Sequence, residues 1–163
     1  MKIIVAADRN WGIGKDNKLL VSIPADMRMF RQETLGKVVV MGRKTLESFP
    51  DGRPLKDRVN IVLTGNPDYS ARGVLAVHSL DELWKVLDDV PRENIYCIGG
   101  ESVYRLLLPF CSEAYVTRID YAYQADRFFP DLDADPDWEL VSESEEQTYF
   151  NLAYRFTKYE RLT

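Results

Sequence analysis

Lys2 to Ala7, Val38 to Met41, Asn60 to Leu63 and Ile95 to Ile98 are short runs with almost no polar break. A strand that does not alternate polar with apolar is covered on both faces, the condition of a parallel sheet between helices. Val74 to Val77 and Tyr115 to Ile119 extend the set. Trp138 to Val141 and Tyr154 to Tyr159 alternate instead, as antiparallel edge strands do. Helical stretches fall between the strands. One runs from Pro24 to about Thr34, where Gly36 stops it, and a short one is entered after Gly42. A third is opened by the capping box Ser79-Leu80-Asp81-Glu82, with Leu80, Leu83, Trp84 and Leu87 inward. A fourth follows Gly99-Gly100 and ends at Pro109. The expected fold is therefore α/β, one domain over residues 1–163. It has a mostly parallel central sheet of about eight strands, helices on both faces and an antiparallel C-terminal strand.

Charge narrows the partners. The chain carries 21 basic and 26 acidic residues, a net of -5, which argues against nucleic acid or an anionic membrane surface. Acids crowd residues 126–147, whereas 43–58 has an excess of bases, so an anionic small molecule has a local positive site to find. An unevenly charged solvated surface is the plainer reading of charge alone. The N-terminal apolar run is too short for a signal peptide and no stretch could span a membrane, so a cytoplasmic location is expected. Cys97 and Cys111, with the single histidine His78, make neither a disulfide framework, a metal set nor a nucleophile triad.

Ligands of such sheets bind beyond the carboxyl ends of the strands. That rim holds Ala7, Met41–Thr45, Leu63–Gly65, His78 and Ile98–Gly100. Gly42-Arg43-Lys44-Thr45 places cations and a hydroxyl after a strand, a phosphate-binding corner that is not a P-loop. Gly99-Gly100 stands at another strand-to-helix junction, where backbone N–H groups can approach a pyrophosphate. The loop Asp8 to Asn17, with Gly12 and Gly14, is a surface turn or a lid. Asp26 follows Pro24 into a first helical turn, where the dipole favours an acid. It shares a face with Phe30, which suggests partial burial and a raised pKa.

Together these residues resemble a family. Val5-Ala6-Ala7, Gly12-Ile13-Gly14, Pro24-Ala25-Asp26, Met41-Gly42-Arg43-Lys44-Thr45, Gly52-Arg53-Pro54-Leu55, Arg58, Ile98-Gly99-Gly100, Val103-Tyr104, Thr117-Arg118-Ile119-Asp120 and Phe129-Pro130-Asp131 stand in the order of the dihydrofolate reductases, from end to end. The resemblance implies hydride transfer from NADPH to 7,8-dihydrofolate, giving the tetrahydrofolate of one-carbon metabolism, by a monomer. Asp26 would promote pterin protonation with Thr117 as its hydroxyl partner. Val5, Ala6, Val21, Met27, Phe30, Phe49, Leu55 and Ile98 would bind the substrate, and Arg58 would hold its glutamate carboxylate.

For the cofactor the resemblance implies Ala7, Ile13, Gly14 and Leu19 along the rim and the lid, which runs Gly12–Leu20 with Asp126 on a supporting loop. Arg43, Lys44 and Thr64 would meet the 2′-phosphate. Thr45 with a cis Gly99–Gly100 peptide would meet the pyrophosphate. Gly42, Leu63, His78, Ile98, Glu101, Ser102, Val103 and Tyr104 complete that set. Three positions depart from the family's pattern. Leu20-Val21 replaces a usual Pro-Trp, which should leave the site larger and more open unless Trp11 already fills the space; Ser102 stands for an arginine, and His78 for a cation. Two other functions remain open: a catalytically weak folate- or NADPH-binding protein, and a same-fold riboflavin-pathway pyrimidine reductase. Pro24-Ala25-Asp26 and Arg58 argue against the second.

Overall fold

The computed structural model describes residues 1–163 throughout. In chain order the elements are β1 (Lys2–Ala7), β2 (Gly12–Lys15), β3 (Lys18–Leu19), α1 (Pro24–Thr34), β4 (Val38–Gly42), α2 (Arg43–Glu47), β5 (Val59–Leu63), β6 (Val74–Val77) and α3 (Leu80–Val86). There follow β7 (Ile95–Gly99), α4 (Glu101–Leu107), β8 (Glu113–Ile119), β9 (Arg127–Phe128), β10 (Trp138–Glu143), β11 (Gln147–Tyr149) and β12 (Leu152–Arg161). The main sheet has nine strands in the order β10-β12-β8-β1-β7-β4-β5-β6, with β11 beside β12. From β8 across to β6 every pairing is parallel. β12 runs antiparallel to β8 and β10.

The uniform apolar runs conceal a period of two. Ile3, Val5 and Ala7 of β1 and Val40 of β4 enter the larger core, which also holds Leu83 and Leu87 of the α3 region and Leu107 of α4. Ile4 of β1 and Val39 and Met41 of β4 enter a second cluster with Leu46, Val62 and Tyr96. Both faces are thus filled, as a parallel sheet requires.

The helix boundaries follow from capping chemistry. Pro24 occupies the first turn of α1, and Leu35 and Gly36, the latter at φ 76°, end it. Ser79 Oγ accepts from Glu82 N–H at 3.1 Å, but the Glu82 carboxylate reaches back to His78 N–H at 2.7 Å, one residue before the usual capping-box partner.

Two expectations need correction. The loop over residues 8–17 is ordered as a small antiparallel sheet: β2 pairs with β3 and with β9. The strand β10 does not alternate in burial. Only Trp138 is buried, because the register against β12 shifts between Leu140 and Ser142 and leaves Leu140 and Val141 outside. No helix is long and apolar enough to cross a membrane.

Asn60 is a polar residue buried at the start of β5. Its Nδ2 donates to the carbonyls of Leu55 and Arg58 (2.9 and 3.1 Å), and its Oδ1 accepts from Leu55 N–H at 2.9 Å. One side chain therefore shapes the turn that carries Leu55 and Arg58. Asn60→Ala should destabilise the protein by about 1–3 kcal/mol, because backbone groups lose their partners. Urea unfolding measures this, and a loss within a few tenths of a kcal/mol would mean that water replaces the amide.

Candidate active site

Asp26 lies in the first turn of α1, half-buried, with its side chain directed at β8. Thr117, fully buried on β8 opposite Ala6, donates from Oγ1 to Asp26 Oδ1 at 2.6 Å. Burial pushes the carboxyl pKa up, and the Thr117 bond, which favours the charged form, pulls it partly back. No neighbouring charge contributes to the shift. The result is a carboxylate adjustable in its protonation and available to a ligand.

Most of the expected apolar wall packs on two of the clusters. Phe30, Phe49, Leu55 and Ile98 are partly buried and pack on the same cluster beneath the sheet. Ala6 and Val21 pack with Ile23, Ile119 and Tyr154. Val5 belongs to the larger core on the other face, so its main chain is what it can offer. Met27 and Leu19 are exposed. Trp11 does not fill the space beside Val21. It lies in the larger core, stacked on Phe129, with the Arg118 guanidinium 3.9 Å from its ring centre.

Arg58 donates from Nε to Lys56 O at 2.9 Å and from Nη1 to Thr34 Oγ1 at 3.1 Å. Thr34 in turn donates to Phe30 O at 2.8 Å, which ties the guanidinium to the end of α1. No carboxylate lies within ion-pairing distance of Arg58. Burial and the nearby Arg31 lower its pKa, yet a guanidinium stays charged. Arg31 was not expected as part of this corner. The available signal was its place on α1 immediately after Phe30.

The opposite part of the rim suits a dinucleotide. The Gly99–Gly100 peptide is cis. Thr45 Oγ1 stands over it, 3.6 and 3.4 Å from where a Cβ of Gly99 or Gly100 would lie. A Cβ at Gly42 would come within 3.2 Å of Val103. Leu63, Thr64, Gly65, His78, Ser102 and Val103 help to line a cavity of about 270 Å³. His78 Nδ1 lies 3.0 Å from Thr64 O and must donate to it, which leaves Nε2 free. Arg43 is engaged by Glu47 one turn along α2, whereas Lys44 forms no ion pair. The Glu101 carboxylate accepts from Phe128 N–H, Val103 and Tyr104 are buried, and Tyr104 Oη donates to Ile4 O at 2.7 Å.

The β2–β3 hairpin adjoins β9 and α2. Ile13 packs partly on the larger core. Gly14 O accepts from Asp126 N–H at 2.9 Å, and Asp126 Oδ2 accepts from Asp16 N–H at 3.1 Å. Asn17 Nδ2 donates to Lys44 O at 3.2 Å, a link to α2 that the sequence reading missed. The arrangement offers a carboxyl largely withdrawn from solvent, a guanidinium without an ion-pair partner at the far end of α1, and a pair of glycines under a hydroxyl.

Comparison with known proteins agrees with this geometry. The family model described as dihydrofolate reductase matches residues 1–161. The dihydrofolate reductase of Bacillus subtilis (strain 168) is 37% identical over 165 residues, spanning 99% of this chain and 94% of that protein. A type 3 dihydrofolate reductase of Salmonella typhimurium is 44% identical over 131 residues, 80% of this chain and 78% of that protein. Among solved structures, dihydrofolate reductase from Enterococcus faecalis complexed with NADP(H) and RAB-propyl superposes with a TM-score of 0.88. It is 36% identical and spans 99% of this chain and 96% of its own. With a whole-chain family match and relatives at these identities, the chain belongs to the dihydrofolate reductase family.

Proposed function

We propose that this chain reduces 7,8-dihydrofolate to tetrahydrofolate with NADPH, and that Asp26 and Thr117 form the proton-handling part of its site. The observation that carries the reading is the half-buried Asp26 carboxyl, held by Thr117 at 2.6 Å. NADPH supplies the hydride when bound. Everything else is positioning and proton management by the protein. Asp26 bonds the amidine-like edge of the pterin and favours a proton at N5, next to the carbon that accepts the hydride. Its raised pKa suits that role, since a carboxyl that titrates nearer neutrality gives up and recovers a proton more readily. Phe30, Phe49 and Leu55 hold the rings. Arg58 takes the glutamate carboxylate as a bidentate pair.

On the cofactor side, Lys44 is the freer cation for a 2′-phosphate, with Arg43 shared by Glu47, and His78 offers Nε2 next to Thr64. Thr45 and the Gly99–Gly100 peptide suit the pyrophosphate. The same reading makes the chain a monomer acting on small molecules in the cytoplasm, with no nucleic acid or membrane as partner. Val21 fills less space than the family's usual tryptophan and has no N–H to hold a water there. It leaves a roomier pterin pocket rather than an inactive one.

The direct test is loss of NADPH absorbance on adding dihydrofolate, one equivalent for each tetrahydrofolate formed. Tight binding of both compounds without turnover would favour a binding protein instead.

Asp26→Asn should lower turnover at neutral pH by about 10²–10⁴-fold, the usual worth of a positioned proton donor. It should also stabilise the fold. With the folded pKa above the unfolded one, the native state prefers the neutral acid. Stability therefore falls as pH rises from the unfolded pKa through the folded one. The asparagine variant should have the higher Tm at pH 7, and its advantage should vanish in acid below the ordinary carboxylate range. A lower Tm at pH 7, or turnover within a few-fold of the parent, would remove Asp26 from this role.

Arg58→Leu should raise the dihydrofolate KM by about 10–100-fold, the loss of a charge-assisted pair, and leave the NADPH KM nearly unchanged. Steady-state kinetics with each substrate varied separately would show this. Equal losses for both substrates would make Arg58 a structural tie between Thr34 and Lys56.

A further inference from the structure

Asp8 follows directly on β1 and is fully buried, yet no cationic side chain meets its carboxylate. Backbone N–H groups satisfy it instead. Oδ1 accepts from Asn10 N–H at 2.9 Å and Gly12 N–H at 2.8 Å, and Oδ2 accepts from Tyr123 N–H at 2.9 Å. The first two bonds alone would describe a residue closing its own turn. The third does not fit that description, because Tyr123 is 115 residues away. The main chain joins in: Asp8 N–H donates to Gly12 O at 2.9 Å, and Arg118 Nη2 donates to Asp8 O at 3.3 Å.

The segment reached through Tyr123 is the one that holds the hairpin farther out. Asp126 N–H donates to Gly14 O, Asp126 Oδ2 accepts from Asp16 N–H, and Phe129 N–H donates to Trp11 O at 2.8 Å. Asp126 thus fastens the outer part of the hairpin and Asp8 its base. The fit at the base is close. A Cβ on Gly12 would stand 2.7 Å from Ala125 Cβ and 3.0 Å from each Asp8 carboxylate oxygen. Nothing larger than hydrogen fits between the two segments.

We propose that Asp8 is a positioning residue for the reaction: its carboxylate fixes the β2–β3 hairpin over the strand-end rim by binding the hairpin's base and the Tyr123–Asp126 segment together. The hairpin spans the rim from Ala7 to α2, where Asn17 holds Lys44 O. Its orientation therefore governs how the site closes on the reacting atoms. This inference rests on the reductase reading for its kinetic readout. Asparagine cannot replace the acid, because its amide has one acceptor oxygen, and the NH₂ would face either Tyr123 N–H or the Asn10 and Gly12 donors. Gly12→Ala attacks the same junction from the other side with the carboxylate intact.

The experiment follows NADPH oxidation in a single turnover, at a temperature well below the Tm of each protein. The parent comes first: if it does not turn over dihydrofolate, the reductase reading fails and the exchange measurement below decides the role of Asp8. In an active enzyme, Asp8→Asn and Gly12→Ala should each slow the single-turnover rate by about 10-fold or more, while dihydrofolate affinity moves by less than about threefold, since small misplacements cost rate before binding. A parental rate in either folded variant overturns the proposal. Hydrogen exchange on the parent needs no variant. The Gly12 and Tyr123 amides should open as one unit and exchange at the same rate under EX1 conditions. Independent opening of the two amides also overturns it.

Discussion

The parallel pairing of β1 with β8 is the constraint on which the reactive end depends. It sets Ala6 beside Thr117 and Ala7 beside Arg118. Thr117 then faces α1 and meets Asp26, whereas Arg118 faces the other way and covers Trp11. A slip of one residue would exchange those faces and place a guanidinium against Asp26. What prevents the slip is burial on both sides. Ile3 and Val5 are committed to the larger core and Ile4 to the smaller, so no alternative register keeps all of them out of water. The position of one hydroxyl is thereby set by the packing of the whole sheet.

The same sheet separates two kinds of chemistry. On the α1 side the strands end among apolar side chains, with one carboxyl and, at the far end of the helix, one unpaired guanidinium. Toward α2 and α4 they end in bare glycines, hydroxyls and a lysine. A carboxyl in the first setting is held neutral more easily, and an anion in the second is held more firmly. Burial of the Asp26 carboxyl opposes its ionisation and so costs some stability where it is charged. The hairpin touches α2 through Asn17 and is held by carboxylates rather than by a core of its own.

Much of this was legible in the sequence because its causes are local. Pro24 before Asp26, the glycines at 99 and 100, and the unbroken apolar runs each carry their meaning within a few residues. The strands of the main sheet lie within a few residues of their expected places for that reason, except the three-residue β11, which no expectation covers. The small sheet was not legible: Gly12–Lys15, Lys18–Leu19 and Arg127–Phe128 have neither the length nor the apolar pattern of strands, and they are ordered by pairing across more than a hundred residues. Asp8 looked like a surface loop acid because its deciding partner, Tyr123, is equally remote. The Arg43–Glu47 pair was visible at its helical spacing and still went unread, because the residues between suggested only a phosphate corner. Val21 was recognised as a departure, but that Trp11 packs elsewhere depends on Phe129 and Tyr159 in three dimensions.

The central claim is that the ionisation of Asp26, adjusted by Thr117, governs the reaction. The pH dependence of single-turnover NADPH oxidation with dihydrofolate, compared between the parent and Thr117→Val, tests it most directly. The hydroxyl stabilises the charged carboxylate, so its removal should move the midpoint of the Asp26 titration to higher pH. An upward displacement of the profile is the predicted result. A profile that stays in place, or moves toward acid, would contradict the account.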